Sequence, residues 1–148
     1  MRLRSLLFVP GDSDRKFARG QTSGADVLIL DLEDAVAPAM KDAARALVAN
    51  WLDQAAEISA QLFVRVNPLD TGLTEADLAA VVRPGLAGIL VPKANGAHDI
   101  ATIATMIDPL ELAAGLAPGS VKIMVPPKPP QRCSRWAAMP RRTRGWSA

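Results

Sequence analysis

The stretch ADVLILDLED, residues 25–34, decides the fold. Val27, Leu28, Ile29 and Leu30 are apolar on consecutive positions, and the character then changes at once to Asp31, Glu33 and Asp34. A strand with one covered face alternates apolar and polar residues. One that is apolar at successive positions needs cover on both faces, which is the condition of a parallel sheet flanked by helices. Working outward, four more runs read the same way: SLLFVPGD (5–12), QLFVRVNP (61–68), AGILVPKA (87–94) and VKIMV (121–125). Ala-rich helical stretches separate them at residues 14–23, 39–56, 74–82 and 97–114. Asp12 or Ser13, and Thr74, stand where a side chain can cap free helix N–H groups.

This βαβαβαβαβ alternation makes a parallel α/β fold, because right-handed crossovers lay the helices over the sheet. Every strand then runs the same way, and the polar residues that end the runs share one face. They are Gly11 with Asp12, Glu33 with Asp34, Asn67, and Lys93. In barrels and open parallel sheets alike, sites are built at the carboxyl ends of the strands. A complete (β/α)8 barrel takes about 250 residues, and 148 residues are roughly half of that.

The net charge of +2 hides two unlike parts. Residues 1–125 hold all 15 acidic side chains and 11 basic ones, whereas 126–148 hold six basic and no acidic ones. The body is therefore mildly acidic, and it lacks the interleaved basic and aromatic residues of a nucleic-acid surface. The single cysteine, Cys133, excludes a disulfide framework and a Cys-based metal site, and a cytoplasmic location is expected. MRLRSLLFVPGDSDRK imitates a secretory leader, but its apolar run is only about five residues long before Pro10-Gly11. It reads as a strand, and no run is long enough to span a bilayer.

RSLLFVPGDSDRKF (4–17), GADVLILDLEDAV (24–36), FVRVNPLDT (63–71) and GILVPK (88–93), in that order and spacing, resemble the citrate lyase β-subunit-like branch of the HpcH/HpaI aldolase family. The resemblance covers roughly residues 3–125. It implies the N-terminal half of a (β/α)8 TIM barrel, with about five parallel strands and four helices at residues 1–125, followed by an irregular tail. It also implies Mg²⁺-dependent cleavage or formation of a C–C bond in acyl-CoA thioesters of the citryl-CoA or malyl-CoA type, by homotrimers, through an acetyl-CoA enolate. In such chemistry negative charge develops on oxygens that cations must hold.

By the same resemblance Arg65 grips a substrate carboxylate, for which a planar guanidinium is suited. Glu33 and Asp34 form an acidic pair beside it that orients water or neighbouring cations. Arg15 and Lys16, at a helix start, can meet CoA phosphates through charge and the helix N-terminus. Plainer readings stand beside these. Arg65 can simply pair with Glu33 or Asp34, and Asp31 reads as a structural hydrogen-bonding group. Lys93 has the residue type of a Schiff-base lysine, but the resemblance offers no such chemistry, so it reads as a rim or ion-pair residue contacting substrate. His98 reads as solvated, and Met106 and Ile107 as core. PGDSDRK is no P-loop, since the second glycine and the Lys-Ser/Thr pair are missing.

Residues 126–148 break the pattern with PPKPPQRCSRW. Where the family resembled carries a stretch like ATETPAAVFALG, whose Glu and a later Asp ligate Mg²⁺, no carboxylate follows Glu111 here. With permitted codons, the bases of this segment read one position earlier encode Thr-Glu-Thr-Pro-Ala-Ala-Val-Phe-Ala-Leu. One reading is therefore a one-base slip near codon 125 and a truncated, inactive lyase chain in which no residue is assigned to metal. The other is a natural basic, proline-rich arm on a non-catalytic fragment or binding remnant.

Overall fold

A computed structural model describes residues 4–126. It contains β1 (Leu6–Pro10), α1 (Asp14–Gln21), β2 (Val27–Asp31), α2 (Lys41–Asp53), β3 (Gln61–Arg65), α3 (Thr74–Val81), β4 (Leu86–Leu90), α4 (Ala97–Ala113) and β5 (Lys122–Met124), with 3₁₀ turns at Pro38–Met40, Ala55–Glu57 and Leu69–Thr71. All neighbouring strands pair in parallel, in the order β1-β2-β3-β4-β5. Each consecutive pair is joined through one of the four α-helices. This is the arrangement of the first part of a (β/α)8 barrel, with β1 and β5 as its edges.

Cover on both faces of β2 follows from its apolar run: Val27 to Leu30 are each at most 2% exposed. Leu28 and Leu30, with Leu62 and Val64 of β3, face the helices and pack with Phe17, Val48, Leu52, Leu78 and Ile103. Val27, Ile29, Phe63 and Leu90 form a separate cluster on the other face. The register puts Asp31 beside Arg65, on the Val27–Ile29 side of the sheet, at the carboxyl end. Between β3 and β4 the register slips by one residue at Leu62/Phe63. Phe63 thereby lies opposite Gly88, where a Cβ would come within 2.5 Å of both the Phe63 ring and the Lys122 carbonyl.

The amino end is tied by carboxylates. Asp26 accepts from the Arg4 and Ser5 amides at 2.8 and 3.0 Å, joining the approach to β1 to that of β2. The buried Glu111 accepts from the Gly119 and Val121 amides at 2.6 and 2.7 Å and from Ser120 Oγ at 3.2 Å, holding the α4–β5 connection. On the helix layer, the Phe17 and Trp51 rings stack at 4.2 Å, and Trp51 Nε1 donates to Asp14 at 2.8 Å.

Two expectations need adjustment. Ser13 does cap α1, accepting from the Lys16 amide, but Thr74 is the first residue of α3 and not its cap. Its hydroxyl donates to the Asn67 carbonyl at 2.9 Å instead. The stretch 39–56 is a shorter α-helix with a 3₁₀ turn at either end. The readings of the segment 126–148, Cys133 included, fall outside the described residues except for Pro126. Among the described residues no helix is long and apolar enough to cross a membrane.

Candidate carboxylate-recognition site

Arg65 is the last residue of β3 and Asp31 the last of β2, so the register alone brings them together. Arg65 Nε donates to Asp31 Oδ1 at 2.8 Å and Nη2 to Oδ2 at 2.6 Å, a two-pronged pair. The same carboxylate accepts the Glu33 amide at 2.8 Å and the Ala35 amide at 3.2 Å, so each of its oxygens takes two donors. Asp31 therefore has the structural role, and the turn after β2 is wound around it.

The third guanidinium nitrogen points elsewhere. Nη1 lies 3.1 Å from Glu33 Oε2 and 3.7 Å from Asp34 Oδ2. The other Glu33 oxygen, Oε1, lies 3.0 Å from Lys93 Nζ. Glu33 is buried and thus bridges two cations, while Asp34 and Lys93 reach solvent. The Arg65 guanidinium also sits over the Phe8 ring, 5.1 Å from its centre. Lys93 has φ +54°, the one non-glycine residue with positive φ among those described, and strain of this kind is typical of functional sites.

These contacts set the charge states. Burial pushes the Asp31 carboxyl up, but the Arg65 hydrogen bonds, the Glu33 amide, the Arg65 charge and the Ala35 amide together hold it below the usual carboxylate value. Arg65 is held even more firmly protonated, chiefly by its hydrogen bonds to Asp31 and against the effect of burial. Lys93 is raised by its hydrogen bond to Glu33 and by that carboxylate's charge, with smaller pulls from Asp34 and Asp70.

A second, largely buried network lies behind the cluster. Lys41 Nζ donates to the Leu32 and Glu33 carbonyls, each at 2.5 Å, and to Asn67 Oδ1 at 2.9 Å. Asn67 Nδ2 and its amide both reach Asp77 Oδ2 at 2.7 Å, and Asp77 Oδ1 accepts Arg45 Nε at 2.7 Å. Arg45 also pairs with Asp42. A cleft of about 300 Å³ opens between the two networks, with Glu33, Asp34, Lys41, Asn67 and Lys93 in its walls.

The structure thus groups Arg65, Glu33, Asp34 and Lys93 and leaves Arg15 and Lys16 apart. Both are exposed on α1, and Lys16 lines a different groove of about 460 Å³ along β1 with Phe8 and Arg19. The ion pairing of Arg65 with Glu33 and Asp34 is present, and its two-pronged edge is spent on Asp31. Lys41, Arg45 and Asp77 had no signal in the sequence, since a charged residue on a helix reads the same whether it faces water or a partner. As for a metal, no group of three or more His, Cys, Asp or Glu is placed to hold one among the described residues. Asp31 and Glu33 are already bound to cations, so these residues do not fit a Mg²⁺ site.

The profile of the HpcH/HpaI aldolase/citrate lyase family matches residues 4–126. Citrate lyase subunit beta of Haemophilus influenzae is 39% identical over 121 residues, 82% of this chain and 42% of that protein. (3S)-malyl-CoA thioesterase of Cereibacter sphaeroides is 39% identical over 111 residues, 75% of this chain and 39% of that protein. Among solved structures, the citrate lyase beta subunit of M. tuberculosis complexed with oxaloacetate and magnesium superposes with a TM-score of 0.59 at 28% identity, covering 81% of this chain and 56% of that one. The chain spans about 40% of the length of the curated relatives it matches.

Proposed function

The chain belongs to the HpcH/HpaI aldolase/citrate lyase family, and we propose that its strand ends form the acid-recognition part of a carbon–carbon lyase for β-hydroxyacyl-CoA thioesters of the citryl-CoA or malyl-CoA type. Both thioesters carry a carboxylate on the carbon that bears the hydroxyl. In the cleavage direction that hydroxyl loses its proton and the bond between the α- and β-carbons breaks. Its electron pair passes into the thioester as an enolate, which takes up a proton to give acetyl-CoA, and the keto acid leaves with its carboxylate intact. Arg65 and Lys93 would hold that carboxylate. The observation that carries the reading is the clamp of Asp31 on Arg65: it fixes the guanidinium plane and leaves Nη1 turned to Glu33 and Asp34, two residues that line the cleft. A substrate carboxylate would take the place of Glu33 on Nη1, while Glu33 stays on Lys93 and Asp34 turns to water.

Arg15 and Lys16 would contribute at the CoA phosphates, where exposed cations at a Ser13-capped helix start suit an anionic group. Relatives solved with magnesium support a Mg²⁺-dependent family. The described residues of this chain do not fit the ion. The 148-residue chain is therefore expected to recognise the acid without turning the thioester over. Purified chain incubated with citryl-CoA or malyl-CoA and Mg²⁺ should release no acetyl-CoA above the blank. Measurable Mg²⁺-dependent release would overturn the inactive reading.

A further inference from the structure

Lys41 is buried, and all three hydrogens of its ammonium are used on uncharged oxygens: the carbonyls of Leu32 and Glu33 and Oδ1 of Asn67. A buried cation that spends its charge on backbone carbonyls, with its carboxylate partner two links away through Asn67 to Asp77, fixes shape more than it gains Coulomb energy. The shape in question is the turn that carries Glu33. Leu32 is also held by its amide on the Arg65 carbonyl at 2.9 Å and by Asn67 Nδ2 on its own carbonyl at 3.0 Å. Glu33 is held by its amide on Asp31. Lys41 closes this set from the helix layer, since it begins α2 and Arg45, one turn on, is anchored to Asp77 of α3.

We propose that Lys41 is a positioning residue for the acid-recognition site: by pinning the Leu32 and Glu33 carbonyls to Asn67, it aims the Glu33 carboxylate between Arg65 and Lys93. The inference rests on the reading of that cluster as the recognition site, but its geometric content can be tested without any substrate. Lys93 is 66% exposed at its side chain, and its one ion pair among the described residues is with Glu33, so its reactivity reports whether Glu33 is in place.

The test is residue-resolved acetylation of the folded 148-residue chain by acetic anhydride, followed by mass spectrometry. In Lys41→Met, Glu33 should leave Lys93, and Lys93 should acetylate roughly threefold faster or more, because an ammonium released from its carboxylate gives up its proton more readily. Lys41→Gln, which keeps donors for two of the three oxygens, should fold and give an intermediate rate. Asp26→Ala, which loosens the sheet at its opposite end, should lower stability and leave the Lys93 rate at the wild-type value. A folded Lys41→Gln or Lys41→Met chain whose Lys93 acetylates at the Asp26→Ala rate would overturn the proposal. Should the chain prove unable to bind oxaloacetate, the functional reading fails while the acetylation rates still decide the role of Lys41.

Discussion

Arg65 gives two nitrogens to one carboxylate and keeps the third for its surroundings, and Asp31 is the partner that makes this possible. An ammonium cannot reproduce a two-pronged pair, so Arg65→Lys should lose one charge-assisted hydrogen bond, about 1.5–3 kcal/mol of stability in urea unfolding, and more than a conservative charge exchange on the surface. Asp31 also predicts an acid limit. Its carboxyl lies below the usual value of 3.8 in the folded chain, so its contribution is complete above that pH and is lost as pH falls through the lower, folded value. Thermal midpoints should therefore fall steeply below about pH 4, and Asp31→Asn should flatten that limb while lowering the midpoint at neutral pH. Lys93, by contrast, was legible in the sequence as a rim or ion-pair residue after an apolar run, and the structure pairs it with Glu33. Its left-handed backbone was not, because nothing marks a lysine for φ +54° as a glycine would be marked.

Strands were the most legible elements, since β2, β3 and β4 are buried on both faces and such cover demands unbroken apolar runs. Helix limits were less so. Pro38 marks the start of the first 3₁₀ turn, but no glycine or proline within residues 39–56 marks where α2 itself begins at Lys41 or ends at Asp53, and Thr74 obeys a capping rule that the nearby Asn67 carbonyl overrides. Lys41 and Arg45 carried no signal in the sequence because Asn67 and Asp77, to which they donate, lie 26 and 32 residues further along. Two predictions belong at this scale. Glu111→Gln should cost about 1–3 kcal/mol, since the neutral amide cannot accept the Gly119 and Val121 amides and the Ser120 hydroxyl as a carboxylate does. Amide exchange should rise first at Gly119 and Val121. Gly88→Ala should destabilise by about 1–3 kcal/mol through overpacking, because its methyl meets the Lys122 carbonyl and the Phe63 ring.

Across the whole molecule the two ends of the sheet do different work. The amino end is stapled by Asp26 and Glu111, both acting as acceptors for backbone amides, whereas the carboxyl end gathers Asp31, Glu33, Asp34, Arg65 and Lys93 into one ionic cluster. This is the division expected of βα-barrel units, in which one face carries stability and the other chemistry. On the proposed function, the ionic face recognises the carboxylate of a keto acid through Arg65. Isothermal calorimetry of oxaloacetate against the 148-residue chain tests it most directly. A saturable heat is expected for the wild-type chain, with affinity falling tenfold or more, about 1.4 kcal/mol, in Arg65→Lys. No saturable heat, or the same affinity in both chains, would contradict it.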